Sequence, residues 1–379
     1  MSQSPSNTAG KGLEGVVALD SRICDIDGTA GRLVYAGYPI DDLARNSTYE
    51  DVVHLLWNGQ LPSRIEREDL ATQLRRTRTI PPSVVDLIDA APSTASPMAV
   101  LRTAVSALGH EDGEVEDASP EANRRKAIRL TARMPTIVAS IARRQAGRSP
   151  IAPHPELDMA SNFLYMLDGQ VPGPKAHRIF DACLILHAEH GLNASTFAGR
   201  VIAATMADMY GAISGAIAAL KGPLHGGANL KVKEMLDDIR SSGQDVETYV
   251  LARLARKERI MGFGHRVYKT IDPRATFLRE MLADLSDERG DRSWLEMSVT
   301  LMNVLKREKN LHPNVDFFSA SVYALLGIPG GLFTPIFAMS RVAGWTAHLL
   351  EQWDGNRLIR PRAAYVGPAD RRIGSATNR

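Results

Sequence analysis

Helix-start and helix-stop signals recur along almost the whole chain, while strand signals are confined to residues 13–37. Ser47 and Glu50 have capping-box spacing ahead of Val52, Val53, Leu55 and Leu56, and Gly59 ends that run. Ser63 and Glu66 repeat the pattern ahead of Leu70 and Leu74. Ser96-Pro97 opens a helix through Leu101, Val105 and Leu108, with Gly109 as its stop. An acidic loop, His110 to Pro120, leads to a long helix opened by Ser119-Pro120-Glu121, in which Pro135 predicts a kink. Apolar periodicity predicts further helices over 155–168, 174–190, 195–220, 229–240, 245–259, 273–287, 293–308, 316–326 and 332–353. Val16–Leu19 and Leu33–Tyr35, on either side of Asp27-Gly28-Thr29-Ala30-Gly31, read as a short N-terminal β-hairpin. Strand and helix do not alternate as a parallel sheet requires, so the expected fold class is all-α.

At 379 residues the chain can bury a sizeable core and is expected to form two domains. Lys plus Arg is 45 against 43 for Asp plus Glu, a net charge of +2. That balance argues against nucleic acid or a membrane surface as a partner. Cys24 and Cys183 are the only cysteines, too few for a disulfide framework and suited to a reducing compartment. Residues 1–11 are polar and small, lack the features of a secretory or transit signal, and are expected to be a disordered tail. Val201 to Leu220 is apolar but holds Asp208 and follows Arg200, so it reads as a buried helix rather than a membrane span. The expected location is the cytoplasm. Helix 195–220 is rich in Ala and Gly, which let helix axes approach closely. It fits a central core helix and a subunit interface equally well.

Two histidines lie in glycine-rich turns, His225 in Gly-Pro-Leu-His-Gly-Gly-Ala-Asn and His265 in Gly-Phe-Gly-His-Arg-Val-Tyr-Lys. Glycine permits sharp turns and close approach of a ligand, and a histidine held there can offer a ring nitrogen to a substrate oxygen. Asp316 opens an apolar run in Asn-Val-Asp-Phe-Phe. Alone it reads as a helix N-cap. With the two histidines it suits proton abstraction beside a carbonyl, the oxyanion being held by hydrogen bonds. His187 and His190 are three apart and share a helix face. They read either as a weak zinc pair or as one buried histidine bonded to backbone and one at a helix C-terminus. Arg341 sits in a strongly apolar context and needs an anionic partner, from the protein or from a substrate carboxylate. Arg360, after the last helix, reads alone as a surface arginine.

Together these segments resemble the citrate synthase family. His187-x-x-His190, Gly-Pro-Leu-His225-Gly-Gly-Ala-Asn, Gly-Phe-Gly-His265-Arg-Val-Tyr-Lys-x-x-Asp-Pro-Arg274, Pro-Asn-Val-Asp316-Phe and Phe-Thr-Pro-Ile-Phe-Ala-Met-Ser-Arg341 occur in that family's order. The resemblance runs from Gly12 to Gly367. It implies an acyltransferase of the tricarboxylic acid cycle that condenses acetyl-CoA with oxaloacetate and hydrolyses citryl-CoA. By carry-over, Asp316 is the base, His225 stabilises the enol of the thioester, and His265 polarises the oxaloacetate ketone. The resemblance places His187, His190, Arg274, Arg341 and Arg360 with His265 around oxaloacetate, Arg360 reaching in from the partner of a homodimer. Glu258, Arg259, Ile260, Met261, Gly262, Phe263 and Gly264 match the CoA-contacting loop, and Lys269 a phosphate contact. No cofactor and no metal are implied, the CoA thioester being a substrate. The family's architecture implies a large helical domain over residues 12–223 and 326–379, and a smaller one over 224–325 that closes on substrate. The resemblance is to the shorter members of the family, and the extra N-terminal domain of hexameric, NADH-inhibited members is not expected. The same motifs occur in 2-methylcitrate synthases, which use propionyl-CoA, and one methylene changes binding by only about 1–3 kcal/mol. From a different class, a helical metalloprotein using the same histidines and Asp316 is the distant alternative.

Overall fold

In the computed structural model, which describes residues 11–368 and Arg371, most helices begin at a side-chain acceptor or a proline. Both devices deal with the unpaired N–H groups of a first turn. The expected N-terminal tail, but for Lys11, lies outside the described residues. Helices α1 (Ile40–Asn46) and α2 (Tyr49–Asn58) abut. Ser47 closes α1 by giving its hydroxyl and its N–H to Leu43 O, so the capping box of α2 falls one residue later than expected, on Thr48 and Asp51. The Ser63–Glu66 box opens α3 (Arg64–Thr77) as expected, and α4 (Pro82–Ala90) and α5 (Pro97–Leu108) start at prolines. Neither α1 nor α4 was expected; both are short and neither has a side-chain cap. Ser119 caps α6 (Pro120–Gln145), which runs unbroken through Pro135.

Helices α7 (Met159–Asp168) and α8 (Pro174–His187) follow. The expected helix 195–220 is two helices, α9 (Ala194–Ala203) and α10 (Met209–Leu220). Met206 enters the left-handed region at φ 65°, and Asp208 Oδ1 then accepts the Gly211 N–H at 2.9 Å to cap α10. A capping aspartate thus outweighs the continuous apolar pattern. The small residues let α9 and α10 pack on each other: a Cβ at Gly215 would lie 2.2 Å from Ile202 Cδ1. The remaining helices are α11 (Ala228–Ser242), α12 (Val246–Ala255), α13 (Pro273–Arg289), α14 (Ser293–Lys309), α15 (Val315–Leu325) and α16 (Phe333–Asp354).

A three-stranded antiparallel sheet, β1 (Cys24–Asp27), β2 (Arg32–Tyr35) and β3 (Tyr38–Pro39), replaces the simple hairpin. Val16–Leu19 forms no strand, and Val17 is 85 % exposed. The Asp27–Gly31 turn closes on its nearest neighbours, pairing Cys24 with Tyr35, and leaves Val16–Leu19 beyond the register. Asp27 Oδ1 accepts the N–H groups of Thr29 and Ala30, each at 2.9 Å.

Helix α16 runs through the core, with every residue from Phe333 to Leu349 buried. It packs against α2, α6, α8, α9 and α10. A second grouping centres on α15, which packs against α11, α13 and α14. Arg341 on α16 and Asp316 on α15 therefore approach from different helical groupings.

Two buried carboxyls brace α2 against α7 and α8. Glu50 Oε1 accepts the Met159 N–H at 2.8 Å, and Asp181 Oδ1 accepts the Tyr49 N–H at 3.1 Å. Burial raises both pKa values, and Glu50 raises that of Asp181 further. A carboxyl with a folded pKa above its unfolded value contributes stability below the unfolded pKa, and that contribution is lost as pH rises through the folded pKa. Asp181→Asn keeps the acceptor and removes the charge. Its melting temperature is expected to fall less between pH 5 and pH 8 than that of the unsubstituted protein, by the equivalent of about 1 kcal/mol or more. Parallel melting curves across that range, by calorimetry, would refute the assignment.

Candidate active site

The turn after α8 supplies the first pair of side chains. His187 Nδ1 lies 2.7 Å from Cys183 O. A carbonyl only accepts, so Nδ1 carries the ring hydrogen and Nε2 is a bare acceptor, without a partner among the described residues. Burial pushes the His187 pKa down to about 3. His190 Nε2 lies 3.2 Å from Tyr268 Oη, and its ring centroid is 5.2 Å from that of His265. Burial, then Arg274 and Arg341, hold His190 well below the ordinary histidine range.

His225 sits in the turn between α10 and α11. Gly226 is required there: its N–H donates to Leu220 O at 2.9 Å, and a Cβ would lie 2.5 Å from that oxygen. His225 Nε2 is 2.8 Å from Ser195 Oγ and 3.3 Å from the Ser195 N–H. A backbone N–H only donates, so Nε2 is the acceptor and the hydrogen of the neutral ring lies on Nδ1. Ser195 is itself held by Asn193 Oδ1, which accepts its N–H at 3.1 Å, and by Trp345 Nε1, which donates to its Oγ at 3.2 Å. Burial, with Arg341 adding, brings the His225 pKa down to about 4.

The His265 loop is welded to the start of α15. Gly262 and Gly264 have φ values of 83° and 76°, and a Cβ at Gly262 would lie 2.9 Å from Phe317 Cβ. The Asn314 N–H donates to Gly262 O, the Gly264 N–H to His312 O, and Asn314 Nδ2 to Gly264 O. His265 Nδ1 accepts the N–H groups of Val267 at 3.0 Å and Tyr268 at 3.2 Å. Its hydrogen therefore lies on Nε2. Burial, with Arg274 adding, lowers its pKa to about 4. On the other side the sheet braces this loop: the Lys269 N–H donates to Gly28 O at 2.8 Å, and a Cβ at Gly28 would lie 2.2 Å from Val267 O.

Asp316 is not the N-cap of α15; Asn314 is, and its Oδ1 accepts the Asp316 N–H at 3.1 Å. The carboxyl of Asp316 is free of that duty. Burial raises its pKa to about 6, against the opposing pull of Arg274 and Arg341. Arg274 gives Nε and Nη2 to Asp272 at 3.0 and 2.8 Å. Arg341 gives Nε to His187 O at 2.6 Å, and its guanidinium carbon lies 4.6 Å from the centroid of the Phe337 ring. In both, further guanidinium N–H groups remain for a ligand. Arg274 acts electrostatically on His265, His190 and Asp316, and Arg341 on His225, His190 and Asp316. These side chains form one site.

Arg360 is elsewhere. It is exposed and lines a groove with Arg22, Phe197, Arg200, Leu358 and Ile359. In the expected CoA-contacting loop, Glu258 pairs with Arg253 and Arg256 at 2.8 and 2.6 Å, Arg259 is exposed, and Ile260, Met261 and Phe263 are half-buried. Lys269 is exposed near His265. Among the described residues, no group of three or more His, Cys, Asp or Glu side chains could hold a metal ion, so the metalloprotein alternative gains no support. Sequence analysis overlooked Ser195, Tyr268 and Asp272. The last two lie inside the quoted motif, but Ser195 reads only as an ordinary first-turn residue after the Asn193 cap.

A donor on His225 Nδ1, a donor on His265 Nε2 and the basic carboxylate of Asp316 are the parts an enolising condensation needs. The comparisons agree. A family model described as citrate synthase, C-terminal domain, matches residues 12–362. Citrate synthase 2 of Bacillus subtilis is 50% identical over 363 residues, covering 95% of this chain and 96% of that protein. A 2-methylcitrate synthase of Mycobacterium tuberculosis is 44% identical over 361 residues, covering 95% and 91%. The solved citrate synthase of Thermoplasma acidophilum, in a ternary complex with carboxymethyl coenzyme A and oxaloacetate, superposes with a TM-score of 0.90 at 34% identity, covering 97% of this chain and 99% of that one. Matched by that family model and by such relatives over nearly its whole length, the chain belongs to the citrate synthase family.

Proposed function

We propose that this enzyme condenses acetyl-CoA with oxaloacetate and hydrolyses the citryl thioester, releasing citrate and CoA. The observation that carries this reading is the opposite tautomers of His225 and His265 in a site whose arginines, Arg274 and Arg341, also act on Asp316. A thioester α-proton is weakly acidic, so its removal needs the developing enolate oxygen stabilised at the same moment. Asp316 takes that proton while His225 Nδ1–H donates to the thioester oxygen. The enol carbon then attacks the ketone carbon of oxaloacetate, polarised by His265 Nε2–H. Arg274 and Arg341 hold the carboxylates, with His190 alongside. Water then attacks the citryl thioester carbonyl, and CoA leaves as the thiol. Both histidines are neutral donors near pH 7, since burial has moved their titration to about 4.

Residues 12–223 and 326–379 form the large domain in this reading, and 224–325 the small one. Closure brings the Asp316–His265 unit onto Arg341 and excludes water during the condensation. A homodimer is favoured by the apolar side chains that the terminal segments expose, Val17 at 85 % and Val366 at 95 %. Arg360 lies in the same exposed stretch, and in this reading it enters the partner's site. No helix among the described residues is long and apolar enough to cross a membrane. The unpaired Cys24 and Cys183 suit a cytoplasmic enzyme.

A second reading, 2-methylcitrate synthesis from propionyl-CoA, is favoured by relatives of that name at 44% identity, against 50% for a citrate synthase. Thiol release measured with each donor and oxaloacetate separates the two. Acetyl-CoA is expected to have the higher kcat/KM, and a preference for propionyl-CoA would reverse the assignment.

Asp316→Asn is expected to keep oxaloacetate binding and lose at least about a hundredfold in turnover, because an amide cannot accept the α-proton. In the unsubstituted enzyme, turnover falls as pH drops through about 6, where Asp316 becomes protonated. A loss below tenfold with intact binding would remove Asp316 from the role of base. Subunits carrying Arg360→Ala, exchanged with subunits carrying His265→Ala, are expected to regain activity, since one site of the mixed dimer holds both intact residues. No recovery after confirmed exchange would place Arg360 in its own chain's site or in none.

A further inference from the structure

The reaction above leaves Glu189 without a task. It lies in the turn between His187 and His190, and its residue is 0 % exposed. Oε1 lies 3.2 Å from His348 Nε2, while Oε2 has no hydrogen-bond partner among the described residues. His348 Nδ1 lies 3.0 Å from Arg200 Nη1. A guanidinium only donates, so His348 Nδ1 accepts and Nε2 carries the hydrogen that Glu189 receives. Arg200 continues the chain to Glu351 Oε2 at 2.6 Å and Gln352 Oε1 at 3.0 Å. Helix α16 makes room for the carboxylate: a Cβ at Gly344 would lie 2.2 Å from Glu189 Oε2 and 2.4 Å from Ala188 O. A buried carboxylate with one bare oxygen is unfavourable unless its charge is used.

The cation its charge acts on is Arg341, one helical turn before Gly344 on α16. Arg341 is 1 % exposed and donates to a backbone carbonyl rather than to a carboxylate. Burial drives this guanidinium toward its neutral form, and the largest opposing influence is Glu189. Besides the base Asp316, the ligand-free site thus holds two buried guanidiniums, Arg274 and Arg341, and two buried carboxylates, Asp272 and Glu189. Asp272 is committed to Arg274 and to the Val315 N–H. Glu189 is tied through its side chain to His348 alone. We infer that Glu189 is a positioning residue, the resident counter-ion of Arg341, whose charge opposes binding of the substrate dianion and so allows the more highly charged product to leave.

The inference rests on oxaloacetate being the ligand of Arg341. Glu189→Gln preserves size and the acceptor for His348 while removing the charge. Titration calorimetry with oxaloacetate is expected to show affinity tightened roughly threefold or more, since like charges in a partly desolvated site repel strongly. Thiol-release kinetics are expected to show a matching fall in the KM for oxaloacetate and no change in that for acetyl-CoA. Glu189→Asp, which keeps the charge, is expected to hold oxaloacetate affinity within about threefold of the unsubstituted value. A merely structural role would lower the melting temperature in both variants and tighten oxaloacetate in neither. Unchanged or weaker affinity in folded Glu189→Gln overturns the inference alone. Failure of the unsubstituted protein to bind oxaloacetate overturns the substrate reading, and the inference with it. If Glu189→Gln does not fold, Glu189→Met, which also removes the charge at similar size, decides: tightened oxaloacetate binding supports the inference, and unchanged or weaker binding overturns it.

Discussion

The site depends most on the buried pair of Asp272 and Arg274. Asp272 caps α13 through the Arg274 N–H, takes two hydrogen bonds from the Arg274 side chain, and accepts the Val315 N–H at 3.2 Å. One carboxylate therefore joins the end of the His265 loop, the start of α13 and the first residue of α15. Asp316 is the next residue along. Removing one member of a buried pair leaves the other charge uncompensated, typically at about 3–5 kcal/mol. The positions of the base and of the ketone-polarising histidine share that support, so they move as one unit.

Desolvation then sets the protonation states. It keeps His187, His225 and His265 neutral and makes the Asp316 carboxylate a stronger base, each in the direction the proposed chemistry needs. Which nitrogen holds each hydrogen is decided by the backbone: the N–H of Ser195 for His225, those of Val267 and Tyr268 for His265. Glycines make those approaches possible at Gly226 and Gly262, where a Cβ would meet backbone or a packed aromatic residue. The short sheet also has a purpose beyond its size. Its Asp27–Gly31 turn lies against the loop from Val267 to Ile271, and Tyr35 Oη bonds the turn after α8 at Glu189 O. The sheet thus spans the two histidine loops.

Much of this was legible locally. Capping boxes, prolines at first turns and apolar periodicity are signals within one helical turn, and they located α3, α5, α6 and most later helices. Misreadings arose where two local rules competed. Ser47 was needed to close α1, so the α2 cap moved to Thr48; Asp208 interrupted an apolar run that periodicity alone would continue; and Asn314, not Asp316, capped α15. That last displacement matters for function, because a capping carboxylate would be engaged in its own helix.

The sequence by itself determined an all-helical chain, the order of its motifs, and the residue types able to enolise, polarise and bind a dianion. Those are properties of short segments, carried by spacing and by the chemistry of single side chains. Only the tertiary structure decided that Ser195 orients His225, that Asp272 ties Arg274 to α15, and that Glu189 lies buried against α16 at His348 and Gly344. These contacts join residues 30 to more than 150 positions apart, and their energies come from burial and from paired charges that exist only once the helices have packed.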